Sequence, residues 1–111
     1  MVGDEKIVIS QRVILYLDKL VQTLYQKDYF SFLESAQEYV GKIYDFIYEN
    51  LEISRHFKSP ANLKYLGSFY IFYKANRRTT WYVFFEKKKG QYLVTSILNN
   101  YCKEVVNLHE D

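Results

Sequence analysis

The residues able to do chemistry gather in the second half of the chain, and nearly all are cations. Between Arg55 and Lys103 stand ten Lys/Arg and one acid, Glu86. Arg55, His56, Lys58 and Lys64 form one group, Arg77 and Arg78 a second, and Lys87, Lys88 and Lys89 a third. Residues 1–53 carry five Lys/Arg against nine Asp/Glu, a net of −4. Residues 54–111 carry ten against four, a net of +6. Such a half suits a polyanion: RNA, DNA or an acidic protein surface. The plainer reading is solvated turn residues, and lysine near strand ends also blocks edge pairing. With Glu86 alone among the cations there is no carboxylate pair, so any catalysis must use Arg, Lys, Tyr or His. Phosphodiester cleavage can work that way, since it needs cations around the phosphate more than it needs a metal.

Other chemistries are excluded. Gly3, Gly41, Gly67 and Gly90 are scattered, so there is no phosphate-cradling glycine loop. One cysteine, Cys102, allows no internal disulfide and is expected to pack. Two histidines, His56 and His109, do not make a zinc site. No metal and no cofactor are expected. The longest uncharged run, Gly90 to Cys102, is thirteen residues, too short and too polar to cross a bilayer. The start, Met1 to Lys6, lacks an apolar signal region. A cytoplasmic protein is expected.

The elements that must position these groups follow from hydrophobic period. At 111 residues, 49% hydrophobic and 19% aromatic, with twelve Tyr, eight Phe and one Trp, the chain fits one domain over 1–111. Ile7-Val8-Ile9 reads as a strand. Ser10 is placed to cap a helix in which Val13, Leu17, Leu20, Val21 and Leu24 recur, ending near Gln26. Ser31 and Glu34 have capping-box spacing. A second helix carries the stripe Ala36, Val40, Ile43, Ile47 and Leu51. Gly41 inside it suggests a close approach of the first helix. So short a link makes an antiparallel hairpin.

Ile53 to Leu63, with the sole proline Pro60, is a connection. Three strands follow: Tyr65–Lys74, Thr79–Glu86 and Gln91–Asn99. Residues 75–78 and 87–90 turn between them, with Gly90 at a positive φ. Tyr101, Val105 and Leu108 line one face of a short last helix. The fold class is α+β: a helical hairpin on a mostly antiparallel sheet ending in a three-strand meander. Alternation puts Phe69, Tyr73, Trp81 and Phe85 on one face and Tyr70, Phe72, Tyr82 and Phe84 on the other. Which face is which is interchangeable on alternation alone. Two aromatic faces cannot both sit under one hairpin, so the set Tyr70, Phe72, Tyr82 and Phe84 is expected to bind a partner.

Several segments resemble the RelE/ParE superfamily of bacterial toxins, along nearly the whole chain. Lys6-Ile7-Val8-Ile9-Ser10 is similar to the opening strand and cap, and the two helices to its hairpin. Leu66-Gly67-Ser68-Phe69-Tyr70-Ile71-Phe72-Tyr73, Thr80-Trp81-Tyr82-Val83-Phe84-Phe85 and Tyr92-Leu93-Val94-Thr95-Ser96-Ile97-Leu98 resemble its strands. The resemblance implies a toxin of a type II toxin–antitoxin, or plasmid-stabilisation, module, held silent by a cognate antitoxin. RelE-like members cut mRNA on the ribosome; ParE-like members act on gyrase. By position it implies Arg77, Arg78 and Tyr101 as catalytic candidates. Arg55, Lys58, Lys64, Lys87, Lys88 and Lys89 are candidates for target binding. Aromatics in the central strands, and Asn99-Asn100-Tyr101 after the last, depart from the nuclease pattern, and the long hairpin leans toward ParE. The alternative is a non-catalytic binding module whose aromatic sheet face meets RNA, a small ligand or a protein. A second copy of the chain is a further candidate occupant.

Overall fold

A computed structural model describes residues 6–27, 32–105 and 108. The chain runs β1 (Ile7–Ile9), α1 (Gln11–Gln26), α2 (Leu33–Asn50), β2 (Phe57–Lys58), a 3-10 turn (Ala61–Leu63), β3 (Phe69–Lys74), β4 (Thr80–Lys88), β5 (Gln91–Asn99) and a second 3-10 turn (Lys103–Val105). The sheet order is β1-β5-β4-β3-β2. Only β1 and β5 are parallel; the other three pairings are antiparallel. This is the α+β layout that the periodicities predict, and β5 has the expected bounds.

The helices form because their apolar residues repeat every three or four positions. Val13 and Leu17 of α1, and Ala36, Val40, Ile43 and Ile47 of α2 with Leu51 after it, are buried. The core they enter holds Ile71, Trp81, Val83, Phe85, Val94 and Ile97 from the sheet, with Phe69 and Tyr73 packed at its margin. The Trp81 indole N–H donates to the Tyr39 hydroxyl at 3.0 Å, fixing the ring under the helices. The sheet face assigned to the hairpin is thus the one it uses.

The opposite face is a second core. Tyr70, Tyr82 and Phe84 are buried there with Leu63, Leu66 and Val105, and Phe57, Phe72, Leu98, Cys102 and Leu108 pack against them. This corrects the expectation that Tyr70, Phe72, Tyr82 and Phe84 form an open partner surface. Tyr70, Tyr82 and Phe84 are at most 2% exposed, and Phe72 is half-buried. The chain itself supplies the cover, from the 3-10 turn after β2 and the segment after β5. Burying three such rings removes roughly 150–250 Å² each from water. At ~25 cal/mol/Å² that is on the order of 10 kcal/mol, comparable to a whole domain's net stability.

Other expectations also shift. The connection Ile53–Leu63 contains an edge strand, β2, too short to show a period. The first meander strand starts at Phe69, not Tyr65, because Tyr65 to Gly67 continue the turn: Leu66 and Gly67 N–H donate to Leu63 and Lys64 carbonyls. Helix α2 is capped at Phe32, so Glu34 is its second residue and the capping-box register does not apply; Ser31 lies outside the described residues. Ser10 occupies the α1 N-cap but its hydroxyl makes no cap bond; its backbone N–H donates to the Val94 carbonyl, tying the start of α1 to β5. The last helix is one 3-10 turn, in which Val105 is buried while Tyr101 is exposed. The β4–β5 turn is tighter than drawn, with both Lys89 and Gly90 at positive φ, as a two-residue hairpin of inverted type requires.

Two glycines separate what the fold needs from what it tolerates. A Cβ on Gly67 would lie 2.7 Å from the Phe85 backbone nitrogen and 2.9 Å from the Phe84 Cβ, so only glycine lets this segment lie on the sheet. A Cβ on Gly41 would meet nothing within 4 Å, which removes close helix approach as its reason. Gly67→Ala is expected to cost about 1–3 kcal/mol, and Gly41→Ala to gain about 0.5–1 kcal/mol. Urea unfolding midpoints check both. An unchanged midpoint for Gly67→Ala would mean that this segment does not rest on the sheet.

Candidate functional site

The structure spreads the predicted cations over the two ends of the sheet, its β2 edge and the turn that follows. Strand β4 runs between them, and nine residues of strand span ~30 Å. Arg77, Arg78 and Tyr101 meet at one end. Lys87, Lys88 and Lys89 occupy the other, with His56 beside them. Arg55 and Lys58 lie along the β2 edge, and Lys64 follows the first 3-10 turn.

The Arg77/Arg78 end is built from backbone and amides. Asn76 Oδ1 accepts from the N–H groups of Arg78 and Thr79, both at 2.9 Å, an Asx turn that throws both arginine side chains outward. Asn100, just past β5, ties this turn down. Its Nδ2 donates to the Arg78 carbonyl at 3.0 Å, and its Oδ1 accepts from the buried Thr80 N–H at 2.9 Å. Tyr101 hydroxyl also donates to the Arg78 carbonyl at 3.0 Å, and Tyr101 N–H donates to Asn99 Oδ1. The run Asn99-Asn100-Tyr101 is thus a clamp on the β3–β4 turn. Two exposed guanidinium groups can bind phosphate or carboxylate groups. The Tyr101 hydroxyl can donate a proton elsewhere only by leaving that carbonyl.

The lysine end is more tightly made. His56 Nε2–H donates to the Leu51 carbonyl near the end of α2 at 2.6 Å, which leaves Nδ1 to accept from Lys87 Nζ at 3.3 Å. The imidazole packs edge-on against Phe85 and Tyr92. Lys87 Nζ sits 4.4 Å from the Phe69 ring centroid. Arg55 likewise lies over Phe57, at 4.9 Å. These cations are held by ring faces and an imidazole, whereas Lys88 and Lys89 stand exposed at the turn. Glu86 Oε2 accepts the Ser68 N–H at 3.1 Å, so the one acid of the basic stretch holds the covering segment to the sheet.

Sequence reasoning missed the clamp role of Asn76 and Asn100 and the His56–Lys87 contact. It also missed a groove at the β5 edge, lined by Arg12, Val13, Tyr16, Leu66, Ser96, Ile97 and Leu98, with a volume of about 280 Å³. Burial is the main cause holding the Tyr16 phenol above its ordinary pKa, with Cys102 and Tyr39 adding to it. Cys102 is half-buried against the second core, as expected of a packing residue. His109 lies outside the described residues. Among the described residues no group of three His, Cys, Asp or Glu could hold a metal ion, and no helix is long and apolar enough to cross a membrane.

No protein-family model, no curated protein and no solved structure matches this chain.

The clamp predicts a graded pair of effects. Asn100→Ala strands the buried Thr80 N–H and is expected to cost about 1–3 kcal/mol. Tyr101→Phe removes one bond from a side chain 66% exposed, and is expected to cost under about 1 kcal/mol. Chemical denaturation of both variants checks the order; a larger cost for Tyr101→Phe would place the clamp in the phenol instead.

Proposed function

We propose that the chain is the toxin-like component of a bacterial toxin–antitoxin pair, with the ParE-like, gyrase-directed activity ahead of the RelE-like one. The reading is supported by the element order that the resemblance implies: a short N-terminal strand, a helical hairpin and a three-strand antiparallel meander. It is supported further by the meeting of Arg77, Arg78 and Tyr101 at one end of the sheet.

One observation favours a protein target over RNA. The face opposite the helices, where a nuclease would open a cationic groove, is filled by Tyr70, Tyr82 and Phe84 under the chain's own cover. The arginine pair and the lysine cluster stand at opposite ends of β4, ~30 Å apart, too far to surround one phosphate together. The same burial weakens the alternative of an aromatic face that stacks bases or binds a small ligand, because base stacking needs exposed rings. On this reading Arg77 and Arg78 engage acidic groups of the target and Tyr101 holds their turn in place. A cognate antitoxin, acidic where it covers that turn, silences the protein.

Expression of the chain alone in a bacterium is expected to arrest growth, and the double variant Arg77→Ala, Arg78→Ala to relieve the arrest while staying folded. Normal growth at high soluble levels of the unaltered chain overturns the toxin reading. Purified protein is expected to inhibit DNA supercoiling by gyrase. Cleavage of translated mRNA without effect on gyrase would reverse the order of the two activities. An unrelieved arrest in the double variant would make the arginines solubility residues.

A further inference from the structure

The groove beside β5 lies on a sheet edge left unpaired among the described residues, and the hydrogen-bond phase of the ladder shows which backbone groups it presents. Asn100 N–H donates to the Thr80 carbonyl. With the pairs Tyr82–Leu98 and Phe84–Ser96, this directs the backbone of Leu98 and Ser96 toward β4. The N–H and C=O of Ile97 therefore point the other way, out of the sheet. Strand β1 covers that edge only at Tyr92 to Val94, because the chain turns into α1 at Ser10. Past Val94 no described strand lies against that edge of β5.

The groove around Ile97 has two walls. Helix α1 contributes Arg12, Val13 and Tyr16 on one side, and Leu66 with Ser96 and Leu98 forms the other. Among the described residues that line it, Arg12 alone is charged. Ser96 is 4% exposed, and its hydroxyl, among the residues lining the groove, has no hydrogen-bond partner. A buried hydroxyl without a partner costs about 1–3 kcal/mol. The Tyr16 hydroxyl, raised in pKa by burial, stays protonated as a donor.

We infer that this groove receives a short extended peptide segment of a partner protein, which adds as a strand to the Ile97 edge and carries a carboxylate to Arg12. The backbone of Ile97 supplies one donor and one acceptor at strand spacing, as strand addition requires. Val13, Leu66 and Leu98 supply apolar walls for the alternate side chains. Arg12 selects an acidic residue, and Ser96 and Tyr16 offer further hydrogen bonds. The site is separate from the arginine turn, and the inference holds or fails independently of toxin activity.

The test uses the full chain and a capped six-residue peptide of alternating valine and glutamate, followed by amide hydrogen exchange. Binding is expected to slow exchange at the Ile97 amide. Two further peptides carry N-methyl groups on alternate residues, one in each register; one is expected to bind and the other to fail. Arg12→Ala is expected to weaken binding by about tenfold. Ser96→Ala is expected to weaken binding as well, with an unfolding midpoint that does not fall, which separates a lost contact from a lost fold. Several results overturn the inference: no slowing at Ile97 with millimolar peptide, protection confined to another edge, equal binding of both methylated peptides, or equal binding of a valine–lysine peptide.

Discussion

Strand β4 is buried on both faces, and the rest of the structure follows from that constraint. Its residues Thr80 to Phe85 are all buried in succession, so side chains pointing both up and down must leave water. An amphipathic helical hairpin can cover one face only. The second layer has to come from the connections, and it does: the segment before β3 and the segment after β5 close over Tyr70, Tyr82 and Phe84. Irregular chain can lie flat on a sheet only where it comes close, and Gly67 is the point of contact. There the absent side chain leaves room for the backbone of Phe85 and the side chain of Thr95. The polar groups of this layer are tied down singly, Leu66 C=O by the Thr95 hydroxyl and Ser68 N–H by Glu86.

What could be read in the sequence is what repeats. The stripe Ala36, Val40, Ile43, Ile47 and Leu51 gave α2 its buried side, and Trp81, Val83 and Phe85 gave the helix-facing side of β4. Both are periodic over enough residues to outweigh local accidents. The second core had no such pattern. Its cover is Leu63, Leu66 and Val105 in single turns, and β2 is only two residues long. Alternation correctly separated the two aromatic sets, but it says nothing about what lies opposite each. One hairpin does cover one face only, but the other face is not left open, because loops also form a layer. The cations were legible as a half-chain excess. Their distribution to two ends was not, because it depends on strand direction and on clamps made by Asn76 and Asn100.

The aromatic load and the charge asymmetry turn out to be linked. Lys87 over Phe69 and Arg55 over Phe57 place cations on ring faces at the margins of both cores, and His56, edge-on to Phe85, accepts from Lys87. In those places the positive charge is fixed by the packing. Arg77, Arg78, Lys88 and Lys89 lie instead at turns, their own side chains exposed. An interaction that must reach a target surface is better served by the second kind. This is why the arginine turn, with its three-residue clamp, carries the functional reading better than the more numerous lysines.

One irregularity in β5 connects the core to the open edge. Opposite Phe84 and Phe85 the pairing steps from Ser96 to Val94, so Thr95 is an extra residue. Side chains of Val94 and Ile97 can then both enter the helix-facing core, although they are three apart. The same step reverses the backbone phase. Before the bulge Tyr92 and Val94 face β1; after it Ile97 faces outward, where β1 has already ended. A regular β5 would present Ser96 and Leu98 to that edge and turn Ile97 toward the covering loop. The residue that lets the helices close on one face, and whose hydroxyl holds Leu66 on the other, therefore also decides which peptide group the groove offers.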